Sequence, residues 1–414
     1  MSRKTKPATP TEEPKPALLP KLRFPEFRGL GGWETKPLSK LATRTKQKNR
    51  DEKIGRVLTN SAEFGVVDQR DFFDKDIATQ GKLEGYFVVE QGSYVYNPRI
   101  SSTAPVGPIS KNKLGIGVMS PLYTVFKFKA EASDFYEHFF KTTGWHSYMR
   151  QASSTGARHD RMAISSTDFM AMPLPVPSLP EQQKIAECLS SLDELIAAQG
   201  RKVEALKSHK KGLMQQLFPR EGETQPRLRF PEFRNAGGWE PKVLGDVVKS
   251  FKTGKLDANA MVENGKYRFY TCAKNYFQID HYAFEGEALL IAGNGAHLGY
   301  IHHYIGQFNA YQRTYVLQDF TANVAFLRCL LERYLPARIQ FEKKDGNTPY
   351  IVLSTLTEMP LLVPSEEAEQ SRIASCLSSL DALIAAAAKQ LEALKEHKKG
   401  LMQGLFPAVE EVGA

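Results

Sequence analysis

The sequence predicts an α+β chain: two mixed α/β domains joined by two long helices that form an antiparallel coiled coil, with a pseudo-two-fold internal repeat. Three observations predict it. Twelve residues occur twice, "RFPEFRGLGGWE" from Arg23 and "RFPEFRNAGGWE" from Arg229, with ten of the twelve identical. A longer stretch also recurs, "IAECLSSLDELIAAQGRKVEALKSHKKGLMQQLFP" ending at Pro219 and "IASCLSSLDALIAAAAKQLEALKEHKKGLMQGLFP" ending at Pro407. Between these landmarks lie two segments, roughly 43–171 and 249–358, that differ in sequence and length. The landmarks are offset by 206 and 188 residues, so the second copy is 18 residues shorter.

In order, residues 1–21 ("MSRKTKPATPTEEPKPALLP" and Lys21) are rich in proline and charge and read as a disordered lead-in. They lack the apolar stretch of a secretory signal. Residues 22–178 form the first domain, 179–219 the first long helix and 220–227 a linker. Residues 228–364 form the second domain, 365–407 the second long helix and 408–414 a tail. Within the domains, "GYFVVEQGSYVY" and "YTVFKF" alternate as strands do. "SDFYEHFFKTTGWHSYMRQ" and "NVAFLRCLLERYLPARIQF" have helical spacing. A framework also recurs. Gly92 and Tyr96 align with Gly286 and Leu290, Gly107 and Tyr123 with Gly299 and Tyr315, and "MPLPVP" from Met172 with "MPLLVP" from Met359. The offsets shrink stepwise, which places the deletions in loops, where a shared fold tolerates them.

Ile185, Leu189, Leu192, Ile196, Gln199, Val203, Leu206, Lys210, Leu213 and Leu217 step by 4 and 3, a heptad seam. Ile373, Leu377, Leu380, Ile384, Ala387, Leu391, Leu394, Lys398, Leu401 and Leu405 step identically. A lone helix of this kind would expose its stripe, so the two are expected to pair, with Lys210 and Lys398 as polar seam residues that fix register. Antiparallel pairing would place the two domains at opposite ends, the geometry needed to touch two separated half-sites on a duplex.

The composition, 42% hydrophobic and 24% charged, is that of an ordinary globular protein. A net charge of +9 and a pI near 9.1 lean towards a polyanionic partner. No apolar run approaches 18 residues, so no membrane span is expected. The four cysteines are far apart without a CxxC pair, which supports a reducing cytoplasm and neither a disulfide framework nor a zinc site.

No catalytic constellation emerges. There is no GxxxxGK[ST] phosphate loop. "YNPRI" at 96–100 resembles the Asn-Pro-Pro-aromatic motif of adenine methyltransferases but lacks the second proline and the aromatic, and reads as a strand end. Glu342, Lys343 and Lys344 spell an ExK triplet without an acidic partner, and "GNGAHLG" at 293–299 reads as a turn among strands. His302 and His303 are adjacent, a spacing that does not make a metal site. His209 and His397 recur as helix-surface residues, and Cys188 and Cys376 as packing residues.

Two recognition-like domains without a catalytic centre describe a targeting subunit. At this level the chain resembles the specificity subunit of a type I restriction-modification system. The resemblance rests on the duplicated "RFPEFR…GGWE" and on "MPLPVPSLPEQQKIAECLSSLDELI" with its counterpart "MPLLVPSEEAEQSRIASCLSSLDALI", and it covers about residues 22–407. The second copy departs from the first in lacking a proline directly before the glutamate of its helix start. The resemblance implies two target recognition domains, each reading one half of a bipartite asymmetric sequence in double-stranded DNA, with the helix pair as ruler for the spacer. It implies two modification subunits that methylate adenine with S-adenosylmethionine, and restriction (translocase-nuclease) subunits driven by ATP with Mg. No catalytic, cofactor or metal residue is then expected in this chain.

Base readout favours arginine on guanine and asparagine or glutamine on adenine, while lysine and hydroxyls hold phosphate. The polar loops after the domain helices, "ASSTGARHDRM" and "KKDGNTPY", make Arg158, His159, Arg161, Lys343, Lys344 and Asn347 the first candidates. Arg99, Ser101, Ser102, Asn294, His297, Gln312 and Arg313 are the second. Two other classes fit the sequence: a stand-alone DNA-binding or decoy protein, which would purify without enzyme partners, and a non-DNA scaffold, which would show no salt-sensitive duplex binding.

Overall fold

Both copies of the short motif fold in the same way, and each clasps the start of a long helix. In this computed structural model, which describes residues 18–72, 83–130, 134–155, 160–220, 222–342 and 350–407, Pro25–Phe27 and Pro231–Phe233 form single 3-10 turns. Proline suits the first position because its φ is preset and no N–H is needed there. The side chain of the arginine before each turn is largely covered, 9% exposed in Arg23 and 8% in Arg229. Arg23 Nε and Nη2 donate to the Glu181 carboxylate at 2.7 and 2.8 Å, and Arg229 makes the same fork with Glu369 at 2.8 and 2.7 Å. The remaining N–H groups donate to Leu30 O and Gly31 O in one copy and to Ala236 O and Gly237 O in the other. Both glutamates are 1% exposed. Losing either arginine would strand a buried carboxylate, a change that costs about 3–5 kcal/mol. Ordered packing begins before residue 22: Leu18 is buried and its carbonyl accepts from Trp33 N at 2.7 Å.

The chain divides into two compact units. One holds the described residues up to Ala198 together with those from Leu391 onward, and the other holds Gln199–Gln390. The first contains β1 (Glu34–Pro37), α1 (Leu38–Leu41), β2 (Ala42–Arg44), β3 (Leu58–Ser61), β4 (Gly65–Asp68), α2 (Gln69–Phe72), β5 (Phe87–Val89), β6 (Tyr94–Tyr96) and β7 (Ile109–Lys111). After these come β8 (Gly117–Met119), β9 (Thr124–Phe128), α3 (Asp134–Phe139), α4 (His146–Ala152), β10 (Ser154–Thr155), β11 (Met162–Ala163), α5 (Ser166–Met170), β12 (Pro173–Val176) and the start of α6 (Leu179–Leu217). The second contains β13 (Glu240–Val243), α7 (Leu244–Val247), β14 (Val248–Thr253), β15 (Tyr267–Tyr270), β16 (Phe277–Ile279), β17 (Phe284–Ala292), β18 (Ile301–Ala310) and β19 (Thr314–Phe320). It continues with α8 (Val324–Glu342), α9 (Leu353–Thr357), β20 (Pro360–Val363) and the start of α10 (Glu367–Leu405).

The shared framework expected from the glycine and tyrosine landmarks is present. The first unit has a four-stranded sheet in the order β2-β9-β6-β7, and the second has β14-β19-β17-β18 in the same order, extended by β15 and β16. The aligned Gly107 and Gly299 both precede the fourth strand of this order, with φ of 80° and 79°. The "MPLPVP" and "MPLLVP" edges form β12 and β20, which pair antiparallel with β1 and β13 in matching registers, Lys36 opposite Leu174 and Lys242 opposite Leu361. The hairpin β3–β4 takes the place in chain order that β15–β16 takes in the second unit. It is held to its sheet by Asn60 Nδ2, which donates to Val95 O and Pro108 O, whereas β15 joins β18 through a parallel ladder. One helical stretch breaks where continuity was compatible with spacing. Residues 134–152 form α3 and α4, because Thr142 Oγ1 bonds back to Phe139 O and Gly144 follows.

The heptad seams are the buried stripes. Each long helix has 39 residues, about 58 Å at 1.5 Å per residue. Ile185, Leu189, Val203 and Leu217 of α6 are buried, as are Ile373, Leu377, Ala387 and Leu405 of α10. In the first unit Lys398 of α10 is ion-paired with Asp193 of α6. In the second, Lys210 of α6 bonds Asp381 of α10 at 2.7 Å and Glu332 of α8 at 3.3 Å. Stepping forward along α6 from Asp193 to Lys210 steps back equally along α10 from Lys398 to Asp381, so the helices are antiparallel in one register. Burial disfavours the charge on Lys210, but its two carboxylates outweigh this and raise its pKa. Lys398 is lowered by burial, with Lys141 nearby adding to the effect.

Each long helix ends in the core of the domain from the other copy. Phe218, 1% exposed, packs edge-on to Trp239 and tilted on Phe326. Phe406, 5% exposed, packs against Phe135 and Phe139. By length and composition α10 is apolar enough to cross a membrane, contrary to the expectation from run length. Its apolar character includes the alanines Ala385–Ala388, and beside its seam it carries the ion-paired Asp381.

His138 on α3 is 2% exposed; its Nε2 lies 3.1 Å from Ser190 Oγ and its Nδ1 has no partner. Burial pushes its pKa down to about 4, with Lys141 and Lys398 adding to the effect and Glu137 and Asp193 opposing it. The folded state therefore holds neutral imidazole, while the unfolded chain takes up a proton near pH 6.5. The resulting stability is complete above pH 6.5 and is lost as pH falls towards 4, about 3 kcal/mol in all. Urea midpoints of the wild type should fall across this window more steeply than those of His138→Gln; identical slopes would contradict this placement.

Candidate nucleic-acid interface

In the second unit, three loops and one chain segment converge beyond the strand ends. β17 ends at Ala292, and Gly293 lies against the loop that leads into β19. Its N–H donates to Arg313 O at 2.8 Å, and its carbonyl accepts from Ile351 N at 2.9 Å. A Cβ at Gly293 would sit 2.4 Å from Arg313 O, so only glycine permits this approach. Gln312 N donates to Leu256 O, which ties in the loop after β14, and Tyr315 Oη donates to Ile351 O at 3.0 Å. The result is a cleft of about 620 Å³ lined by Thr253, Asn294, Gln312, Arg313, Tyr315 and Tyr350. Three of the residues expected from sequence, Asn294, Gln312 and Arg313, meet here. Gln312 Nε2 reaches Asp257 at 3.2 Å, while Arg313 is exposed. His297 is on the same loop, half-buried, but does not line the cleft.

The first unit uses the equivalent loops differently. After β6, Asn97 leaves the strand and its side chain donates to Asn60 O at 2.9 Å, so "YNPRI" is a strand end. Arg99 bridges Arg161 across an isolated ladder step, Met162 N donates to Pro98 O, and Ile100 N donates to Asp160 O. The two arginines flank one carboxylate: Asp160 is 3.5 Å from Arg99 and 3.9 Å from Arg161. Arg99 is 66% exposed, and ion pairs of this kind contribute at most about 1 kcal/mol. Either guanidinium can therefore exchange Asp160 for an incoming acceptor. Ser101 is occupied by its turn, bonding Thr103 and Ala104 N, and Ser102 is exposed. Arg158, His159, Lys343, Lys344 and Asn347 lie outside the described residues. Glu342 of the ExK triplet pairs with Arg338 at 2.7 Å and accepts from Thr355. His302 and His303 bond Ala273 O and Glu287 separately.

Sequence reasoning missed one group. On the added strand β15 of the second sheet, the Arg268 guanidinium lies over the rings of Tyr276 and of Tyr304 on β18, 4.3 and 4.5 Å from their centroids. The three residues come from separate stretches of chain, and no linear motif marks them.

Two similar domains with non-equivalent polar loops in one chain define a recognition protein with two readers. A model of the type I restriction modification DNA specificity domain matches residues 74–208 and 236–396. The chain is 37% identical over 168 residues to the type I restriction enzyme EcoDI specificity subunit of Escherichia coli, covering 41% of this chain and 37% of that subunit. It is 24% identical over 344 residues to the MjaVIII specificity subunit of Methanocaldococcus jannaschii, covering 74% of this chain and 73% of the other. In fold it is similar to the S subunit of a type I restriction-modification system from M. genitalium, with a TM-score of 0.61 at 16% identity, over 94% of this chain and 99% of that one. The chain belongs to the family of type I restriction-modification specificity subunits.

The cleft geometry makes a testable distinction between two neighbouring glycines. Gly293→Ala must displace the Arg313 carbonyl and should speed amide exchange at Ile351, whose N–H bonds Gly293 O. Gly295→Ala meets open space and has only its φ of 80° to accommodate, about 1–2 kcal/mol. It should leave Ile351 protected. Equal exchange in the two variants would show that the close approach does not hold the loops together.

Proposed function

We propose that this chain is the DNA-recognition subunit of a type I restriction-modification complex. Each domain reads one half of a bipartite, asymmetric target in double-stranded DNA. The helix pair sets the spacer and provides the docking surface for two modification subunits. Methyl transfer, with S-adenosylmethionine, belongs to those subunits, and ATP- and Mg-dependent translocation and cleavage belong to restriction subunits. This chain supplies address and geometry, without a catalytic step of its own, in the cytoplasm.

The observation that carries this reading is a single framework used twice with different loop chemistry. The order β2-β9-β6-β7 recurs as β14-β19-β17-β18. At the strand ends, however, one copy presents Arg99 and Arg161 about a shared Asp160, and the other presents Asn294, Gln312 and Arg313 around a cleft. A common scaffold with unlike donor sets is what reading two unlike sequences requires. The basic balance of the chain supplies the sequence-independent attraction to phosphate.

Exchanging residues 43–171 for the corresponding segment of a related subunit should change one half of the methylated sequence and leave the other half and the spacer intact. Methylation mapping checks this. A change in both halves, or in neither, would contradict independent reading.

A further inference from the structure

We propose that the cleft on the added strands of the second sheet is a guanine-reading site, with Arg268 as the reading side chain. The proposal rests on the DNA-recognition reading above and assigns a base contact within it. Arg268 belongs to β15, and its guanidinium carbon lies over both the Tyr276 and the Tyr304 rings. Two ring contacts restrict where a guanidinium can lie and leave its N–H groups as the part able to bind. One N–H reaches Tyr270 Oη at 3.3 Å. Among the described residues no carboxylate pairs with Arg268, whereas the partly buried Arg328 and Arg338 both have glutamate partners. The surrounding cleft, about 330 Å³, is lined by Lys266, Gln278 and Gln307 besides tyrosines, with no acidic side chain. A preorganised donor fork in a cleft without anions calls for a ligand with two adjacent acceptors.

Guanine presents O6 and N7 side by side on its major-groove edge and matches that fork, whereas adenine places a donor beside N7. A phosphate also offers two acceptors, but lysine suffices for that contact. Holding the arginine against two rings adds directional discrimination, which a backbone contact does not use. The cleft is connected to the Asn294–Arg313 cleft through the chain between them. Cys272 Sγ lies 3.4 Å from Arg313 O, His302 Nε2 is 2.9 Å from Ala273 O, and the Tyr270 ring is 5.0 Å from His302 and 5.7 Å from Tyr304. The hairpin of the first unit differs in its described strand residues. Its hairpin strands, Leu58–Ser61 and Gly65–Asp68, carry neither an arginine nor an aromatic residue. The device is assigned to the half-site of the second domain.

The test is competition binding by the assembled complex, with every base pair of the target replaced in turn, for the wild type, Arg268→Lys and Tyr276→Ala. The second domain's half-site is the one left unchanged when residues 43–171 are exchanged. It should contain a G·C pair at which Arg268→Lys lowers discrimination by about 5- to 150-fold, with Tyr276→Ala weakening the same position and all other positions keeping their preferences. A half-site without G·C, unchanged discrimination in Arg268→Lys, or a uniform loss of affinity across all sequences would overturn the assignment. The last of these would indicate a phosphate contact. If the wild-type complex preferred no bipartite duplex at all, the DNA-recognition reading would fall with it; if it did and only the variants behaved like wild type, the guanine assignment alone would fall.

Discussion

The Leu-Phe-Pro that ends each long helix belongs to the core of the domain from the other copy, and the rest of the architecture depends on that exchange. Phe406 fills a space among Phe135 and Phe139, and Phe218 a space beside Trp239 and Phe326. Truncating a buried phenylalanine costs about 3–5 kcal/mol, so neither core is complete without the far end of the opposite helix. The near end of each helix is fixed by a different force, the buried Arg23–Glu181 or Arg229–Glu369 fork. The Asp193–Lys398 and Asp381–Lys210 pairs then fix one antiparallel register between the helices.

Within each unit the strand ends carry the variable chemistry. Both units bring the loop after the third strand of the shared order, β6 or β17, against the segment that follows the domain helices, through Met162 N to Pro98 O in one and Ile351 N to Gly293 O in the other. The scaffold contact is conserved between the copies while the side chains beside it differ. Modular readers need this division, because a change of loop residues leaves the support untouched. The electrostatics follow the same division. The most buried arginines are tied to glutamates at the helix starts, whereas Arg99, Arg313 and Arg268 keep N–H groups available at the surface.

The paired helices were legible because a seam spaced by 4 and 3 can be buried only against another helix, and every residue of that seam is buried or half-buried. The repeated framework was legible from glycines such as Gly107 and Gly299, whose backbone conformation admits little else. The function of the short motif was not. Arg23 and Glu181 are 158 residues apart in sequence, and only folding brings them together. The break between α3 and α4 was hidden by continuous helical spacing. Of the candidate readers, Asn294, Gln312 and Arg313 were chosen by residue type and share a cleft. Arg268, Tyr276 and Tyr304 were invisible because stacking across strands leaves no spacing to read. The apolarity of α10 was underestimated because alanine runs raise mean hydropathy without forming a long block of large side chains.

The central claim is that the helix pair sets the distance between the two readers. Inserting one heptad into each long helix, after Ala198 and after Gln390, keeps the seam aligned and lengthens the pair by about 10 Å. DNA rises about 3.4 Å per base pair, so methylation mapping of the insertion variant should find a spacer longer by up to about three pairs, limited by the added twist, with both half-site sequences unchanged. An active variant with the original spacer would contradict the claim, as would one whose half-sites had changed.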